Sequence, residues 1–388
     1  MVAENPAEDT PPHAKRFDSC DPHVDSTRPD LNPADGPTVQ DAASGKFRSP
    51  GRDPCSAPDP LYAPGVVGQL GGDYPLLAIV GPTAAGKSSL AIRLALRWGG
   101  EIINCDSVQV YKGFDIGTGK ISPQDRQGIP HHLLDFVEPE QAFTAGDFRQ
   151  EAIRVLDDLR RRRKLPVIVG GTGLYLRALL MGLFEGPQRS EALRERLRTL
   201  AKRRHREFLH RMLRRLDAKA AGRIHQHDTP KIIRAIEVRV LAGQPISAMH
   251  ERGREGLQGF RVMKVGLSPD RKLLAQRINR RVEQMFAGGL LGEVRDMLSR
   301  SGAERIKPLG ALGYRQACGV LAGTSAQEDA IRDTQAATRR YAKRQMTWFR
   351  RETDIEWSAG FGDDPAIQQS VSEWLEKRLP ARPDGSEL

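Results

Sequence analysis

Gly81, Gly86, Lys87 and Ser88 fill the fixed places of G-x-x-x-x-G-K-[ST] in the stretch AIVGPTAAGKSSL, with Pro82, Thr83, Ala84 and Ala85 between them. Glycines at both ends let backbone N–H groups turn inward onto phosphate oxygens, and a helix starting at Lys87 adds the positive end of its dipole. Lys87 is spaced to reach an outer phosphate, and the Ser88 hydroxyl is the Mg²⁺ ligand of such loops. The motif does not say whose phosphates it holds. A nucleotide being hydrolysed, the donor of a kinase and a diphosphate leaving with another group all fit it.

Other residues narrow the chemistry. A P-loop ATPase normally carries a Mg²⁺-holding acid at the end of a further apolar strand. Here the run PVIVGGTG ends in Gly-Gly-Thr, with no carboxylate. Asp106, directly after EIINC, is the acid nearest such a position. A carboxylate at the C-terminal edge of a parallel sheet can act as a general base on a nucleophile bound above the loop, or can cap a turn. Arg277 and Arg281 lie four apart and share one helix face. Neither His131-His132 nor His225, His227 and Asp228 completes a zinc ligand set at useful spacing, which argues against zinc. The four cysteines form no C-x-x-C pair, so neither a disulfide framework nor a cysteine zinc site is expected.

The elements that must position these residues follow from periodicity. PLLAIVG, EIINCDS and LPVIVGGTG are short apolar runs, as expected of strands buried on both faces of a parallel sheet. Between them lie the helical segments KSSLAIRLALRWGG and TAGDFRQEAIRVLDDLRRRRK, the second with Thr144 as N-cap. FRVMKVGL and DIEWSAG predict two more strands, and SPDRKLLAQRINRRVEQMFAGG a helix with Ser268 and Pro269 at its start. The alternation predicts an α/β fold with a P-loop NTPase-like core and a mostly parallel sheet. Residues 187–258 break the alternation with helical, Arg- and Lys-rich sequence, so the core is expected over 75–186 and 259–360 with an inserted all-helical domain between. Residues 1–74 hold 12 of the 26 prolines and few aliphatics, and are expected to be disordered. Residues 361–388 are expected to be a loosely held tail in which IQQSVSEWLEKRL can form a short helix.

Charge divides unevenly. Residues 1–74 carry a net −6, and residues 75–388 a net +17. A body this basic suits a polyanionic partner such as nucleic acid. No run approaches the roughly 20 apolar residues of a membrane helix. The opening MVAENPAEDT has neither a basic start nor an apolar segment, so no secretory leader is expected and the cytoplasm is the expected location.

GPTAAGKSSLA, INCDSVQVYKGFDIGTGK, HHLLD, AGDFR, VIVGGTGLYLRALL, RIHQHDTPKIIRAIEV, LGYRQ and AKRQMTWFR stand in an order that resembles the bacterial tRNA dimethylallyltransferase family over about residues 76–357. The resemblance implies transfer of a dimethylallyl group from dimethylallyl diphosphate to N6 of the adenosine just 3′ of the anticodon, with Mg²⁺ and release of pyrophosphate. The P-loop, residues 81–88, would hold the departing diphosphate, which makes the missing second acid understandable. Asp106 matches the family's general base, Thr172 its partner near the acceptor adenine, and Arg277 its diphosphate clamp, with Arg281 beside it. Asp106, Ser107, Val108 and Gln109, Thr172, Arg194, and Pro230, Lys231, Ile232, Ile233 and Arg234 match positions that contact the tRNA anticodon stem-loop. Pro230-Lys231 stands where the family often has Gln-Arg, which keeps one cation without a guanidinium fork. The basic helices AKRRHREFLHRMLRR and TRRYAKRQMTWFRR would neutralise tRNA phosphates. The family suggests a monomer. Two other readings use the same loop: a nucleoside or nucleotide kinase, and a non-catalytic RNA-binding module that uses it only as an anion site.

Overall fold

The computed structural model describes residues 73–379 apart from residues 185, 205, 206 and 252. The acidic extension, residues 1–72, and the last nine residues lie outside the described residues.

The chain enters as β1 (Tyr74–Val80), passes through the P-loop into α1 (Lys87–Trp98), and returns as β2 (Gly100–Asn104). A long loop carries the two-residue strand β3 (His131–His132). Helix α2 (Ala145–Arg161), β4 (Leu165–Val169) and α3 (Gly173–Met181) follow. Thr144 caps α2 as its sequence requires, its hydroxyl accepting from the Asp147 amide while the Asp147 carboxylate accepts from the Thr144 amide. Among the described residues the regular elements of the insertion are all helices: α4 (Glu191–Arg203), α5 (Phe208–Leu216), α6 (Ala218–Arg223), α7 (Thr229–Ala242) and α8 (Ile246–Glu251). The core resumes with β5 (Phe260–Leu267), α9 (Arg271–Ala287), α10 (Leu290–Leu298), α11 (Tyr314–Leu321), the long α12 (Gln327–Phe349), β6 (Ile355–Ser358) and α13 (Pro365–Glu376).

The six strands form one sheet in the order β3-β2-β4-β1-β5-β6, every pair parallel. Side chains alternate across it. Leu77 and Ile79 of β1 point to the layer of α1 and α13, and Leu76, Ala78 and Val80 to the layer of α2 and α3. A third apolar cluster joins the loop after β2 to α9, α10 and α11 around Phe114, Phe286, Val294 and Tyr314. The insertion has its own core of Leu209, Leu213, Ile232, Ile233 and Ile236. Among the described residues no helix is long and apolar enough to cross a membrane.

Two boundaries depart from expectation. Helix α9 is capped by Asp270, whose carboxylate accepts from the amides of Lys272 and Leu273, so Ser268 and Pro269 lie before the helix. The tail is not loosely held as far as Leu379. Helix α13 lays Val371 and Leu375 into the core beside α1, because its apolar residues recur at helical spacing and leave one face needing cover.

Candidate active site

Because every strand is parallel, their C-terminal ends open at one edge, where ligands collect in such sheets. Val80 delivers the P-loop there, Asn104 delivers Asp106, and Val169 delivers Gly171 and Thr172. The P-loop residues Thr83, Ala84, Gly86, Lys87 and Ser88 line a cavity of about 790 Å³. A second cavity of about 350 Å³ adjoins the first, lined by Ser107 and Val108 and by apolar Ile278, Val282 and Met285. Thr83, Ala84, Asp106, Thr118, Arg281 and Tyr341 line both. Two compartments therefore meet at a carboxylate.

Half-buried Lys87 donates from Nζ to the Pro82 carbonyl at 2.8 Å. Desolvation pulls its ammonium down to about 8, against the opposing pull of Asp106 and with a further push from Arg281. An ammonium held this way gains a partner when a phosphate arrives. Ser88 is exposed to the same cavity. Among the described residues no group of three His, Cys, Asp or Glu side chains could cage a metal. Mg²⁺ commonly takes only one or two protein oxygens beside phosphate and water, so a lone Ser88 hydroxyl next to a phosphate cradle fits that ion.

Asp106 Oδ1 accepts from the amides of Val108 at 2.9 Å and Gln109 at 3.2 Å. This Asx turn fixes the carboxylate at the junction, so turn-capping and exposure to the cavities coexist in one residue. The Thr172 hydroxyl accepts from the Ser107 amide at 3.1 Å, which ties the turn after β4 to the residue beside Asp106. Gln109 donates through Nε2 to the Thr118 carbonyl at 3.2 Å. Glu293 holds the same loop, accepting from the amides of Asp115 and Ile116 at 3.0 and 2.7 Å and from the Tyr314 hydroxyl.

Arg281 and Arg277 share a helix face but have different partners. Arg281 reaches into the junction and donates to the Thr118 carbonyl at 2.8 Å. Arg277 makes a bidentate pair with Asp363 and lies over the Phe361 ring at 4.7 Å. The segment bearing Asp363 is packed on the P-loop, where the Gly362 amide donates to the Ala85 carbonyl at 2.8 Å. Gly86 has φ +82, and a Cβ there would stand 2.6 Å from Asp363 Oδ1, so both conformation and space require glycine.

The positions matched to tRNA contact divide. Pro230 and Lys231 are exposed at the start of α7, Lys231 paired with Asp228. Ile232 and Ile233 are buried in the insertion core, so their side chains are closed to a nucleic acid. Arg194 and Arg234 both turn onto Glu237, which is fully buried. Their first task is to neutralise that carboxylate, since an unpaired buried charge is costly.

Sequence reasoning passed over Gln345, Tyr341 and Asp363. Gln345 had a signal: with Ala342 and Phe349 it occupies the buried face of α12, a polar residue in an apolar phase. Asp363 had none, for nothing in GFGDD announces a contact with the P-loop.

Comparison with known proteins gives the chain its family. The IPP transferase family model matches residues 109–352. A tRNA dimethylallyltransferase of Koribacter versatilis is 52% identical over 75% of this chain and 95% of that protein. One from Solibacter usitatus is 47% identical over 79% of this chain and 99% of that protein. The crystal structure of a tRNA isopentenylpyrophosphate transferase from Bacillus halodurans superposes with TM-score 0.57 at 36% identity, covering 78% of this chain and 97% of that one. A eukaryotic dimethylallyltransferase, crystallised acting on tRNA, superposes with TM-score 0.67 at 26% identity, covering 79% and 80%. With most of the chain matched and the strand-edge site in place, this protein belongs to the IPP transferase family, that of the tRNA dimethylallyltransferases.

Proposed function

We propose that this protein transfers the dimethylallyl group of dimethylallyl diphosphate to N6 of the adenosine on the 3′ side of the anticodon in tRNA, releasing pyrophosphate. The observation that carries the reading is the meeting of two cavities at Asp106, one floored by a phosphate cradle and the other partly apolar and bordered by Ser107 and Val108. Donor and acceptor can then approach one carboxylate from adjoining cavities.

An allylic carbon tolerates positive charge, so the departing diphosphate most needs stabilising as its C–O bond breaks. Lys87, the loop amides and Arg281 surround the place where that charge grows. Ser88 would help hold Mg²⁺, which when bound would supply further charge stabilisation there. The acceptor amine is weakly nucleophilic because its lone pair is delocalised into the purine. As the new C–N bond forms, Asp106 takes the amine proton and the bonding pair of the broken C–O bond leaves with pyrophosphate. Thr172 holds Ser107, and with it the turn that aims Asp106. The target base lies in a loop, so drawing it into the second cavity costs a few kcal/mol of unstacking, roughly. Basic α4 and α5, together with exposed Lys231, offer phosphate contacts that salt would weaken.

The test is to incubate the protein with Mg²⁺, dimethylallyl diphosphate and unmodified tRNA, then to analyse the nucleosides. N6-alkylated adenosine with one pyrophosphate per transfer is expected. ATP consumption with no alkylated adenosine would overturn the reading in favour of a kinase.

A further inference from the structure

Gln345 lies 5% exposed on the inner face of α12, between Ala342 and Phe349. Its Oε1 accepts from the Thr83 amide of the P-loop at 2.8 Å. Its Nε2 donates to the Gly171 carbonyl, on the turn before Thr172, at 3.0 Å. A backbone amide only donates and a carbonyl only accepts, so these partners fix which end of the side-chain amide faces which loop. Space is equally restrictive, because a Cβ on Gly171 would stand 2.0 Å from Gln345 Nε2. One turn earlier on the helix, Tyr341 lines both cavities.

The two partners belong to opposite sides of the reaction. Thr83 lines both cavities within the diphosphate loop. Gly171 adjoins Thr172, which fixes Ser107 next to Asp106. These loops leave different strands, and the only side chain described as bonded to both backbones is Gln345. We infer that Gln345 is a positioning residue for prenyl transfer, an amide strut that sets the distance between the diphosphate cradle and the base–acceptor turn. The inference rests on the transfer reading above. A strut of this kind acts on the geometry of approach, where a displacement of about 1 Å can cost on the order of a hundredfold in rate.

Charge and shape can be separated by two substitutions. Gln345→Met keeps the volume and removes both bonds. Gln345→Glu keeps the acceptor for Thr83, but its ionised form cannot donate to Gly171, whereas its protonated form can. For Gln345→Met, kcat for transfer should fall at least about tenfold while the Kd for tRNA stays within about twofold. For Gln345→Glu, the ratio of its kcat to that of the unaltered protein should rise as pH is lowered from about 8 to 5, as the new carboxyl protonates. A residue that merely fills the core would give a flat ratio. A flat ratio, or a Met variant within about twofold of the unaltered kcat, would overturn the inference. So would failure of both variants to fold, since Gln345 would then be a scaffold residue. An unaltered protein that transfers nothing would defeat the transfer reading instead. In that case the strut is tested by pyrophosphate binding, which the Met variant should weaken several-fold and unchanged binding would refute.

Discussion

Arg277 and Asp363 face each other across the mouth of the P-loop as a two-pronged pair, Nη1 to Oδ1 at 2.8 Å and Nη2 to Oδ2 at 2.7 Å. The same guanidinium was expected from sequence resemblance to hold diphosphate. In the structure a carboxylate pairs with it, and the hydrogen bonds from Arg277 hold the Asp363 carboxyl below its usual range. An arriving diphosphate must displace or share that partner. Both side chains are about two-fifths exposed, so the pair is worth only about 0.2–1 kcal/mol. Asp363→Asn should therefore tighten pyrophosphate binding roughly two- to fivefold, measured by calorimetry. Weaker binding would mean that Asp363 holds Arg277 in its working position.

Asp106→Asn keeps an oxygen for the turn to Val108 and Gln109 and removes the proposed base. Transfer should slow by about 10²-fold or more, while the Kd for tRNA changes by less than about threefold. An equal loss of tRNA binding would take Asp106 out of the base role.

Lys87 carries a pH signature. Its ammonium is pulled to about 8 by desolvation, from 10.5 in the unfolded chain. Below pH 8 it is charged and attracts diphosphate; above pH 8 that attraction is lost. Pyrophosphate affinity should fall as pH rises through about 8, and Lys87→Met should lack this limb. Between about 8 and 10.5 the unfolded chain binds more protons at this site, so the penalty of burying Lys87 charged is relieved and its contribution to stability rises with pH.

Glu237 makes the insertion acid-sensitive. Burial pushes its carboxyl up, but Arg194, Arg234 and the Ser190 amide outweigh that and pull it to about 2. The stabilisation is complete above its ordinary value of 4.5 and is lost as pH falls from there toward 2. Glu237→Gln should remove this acid limb from thermal melts. It should also destabilise the protein by about 3–5 kcal/mol at neutral pH, because two guanidinium groups lose their shared partner. A variant melting as the unaltered protein does would show that Arg194 and Arg234 find other partners.

Local sequence determined a good deal. The P-loop spacing, the Thr144 capping box and the apolar runs of β1, β2, β4 and β5 each depend on residues within one turn or one strand, so periodicity and side-chain chemistry reveal them. The parallel sheet follows, and its common C-terminal edge brings Lys87, Asp106 and Thr172 together. Tertiary structure decided the rest. It turned Arg194 and Arg234 inward to Glu237 and buried Ile232 and Ile233, since a basic helix must still bury one face. It laid the chain after β6 over the P-loop, bringing Asp363 to Arg277 across 86 positions. It placed Gln345 between Thr83 and Gly171, 262 and 174 positions away. Such pairings leave no mark on local periodicity, because they exist only once separate strands have been stacked side by side and a helix has been packed across their ends.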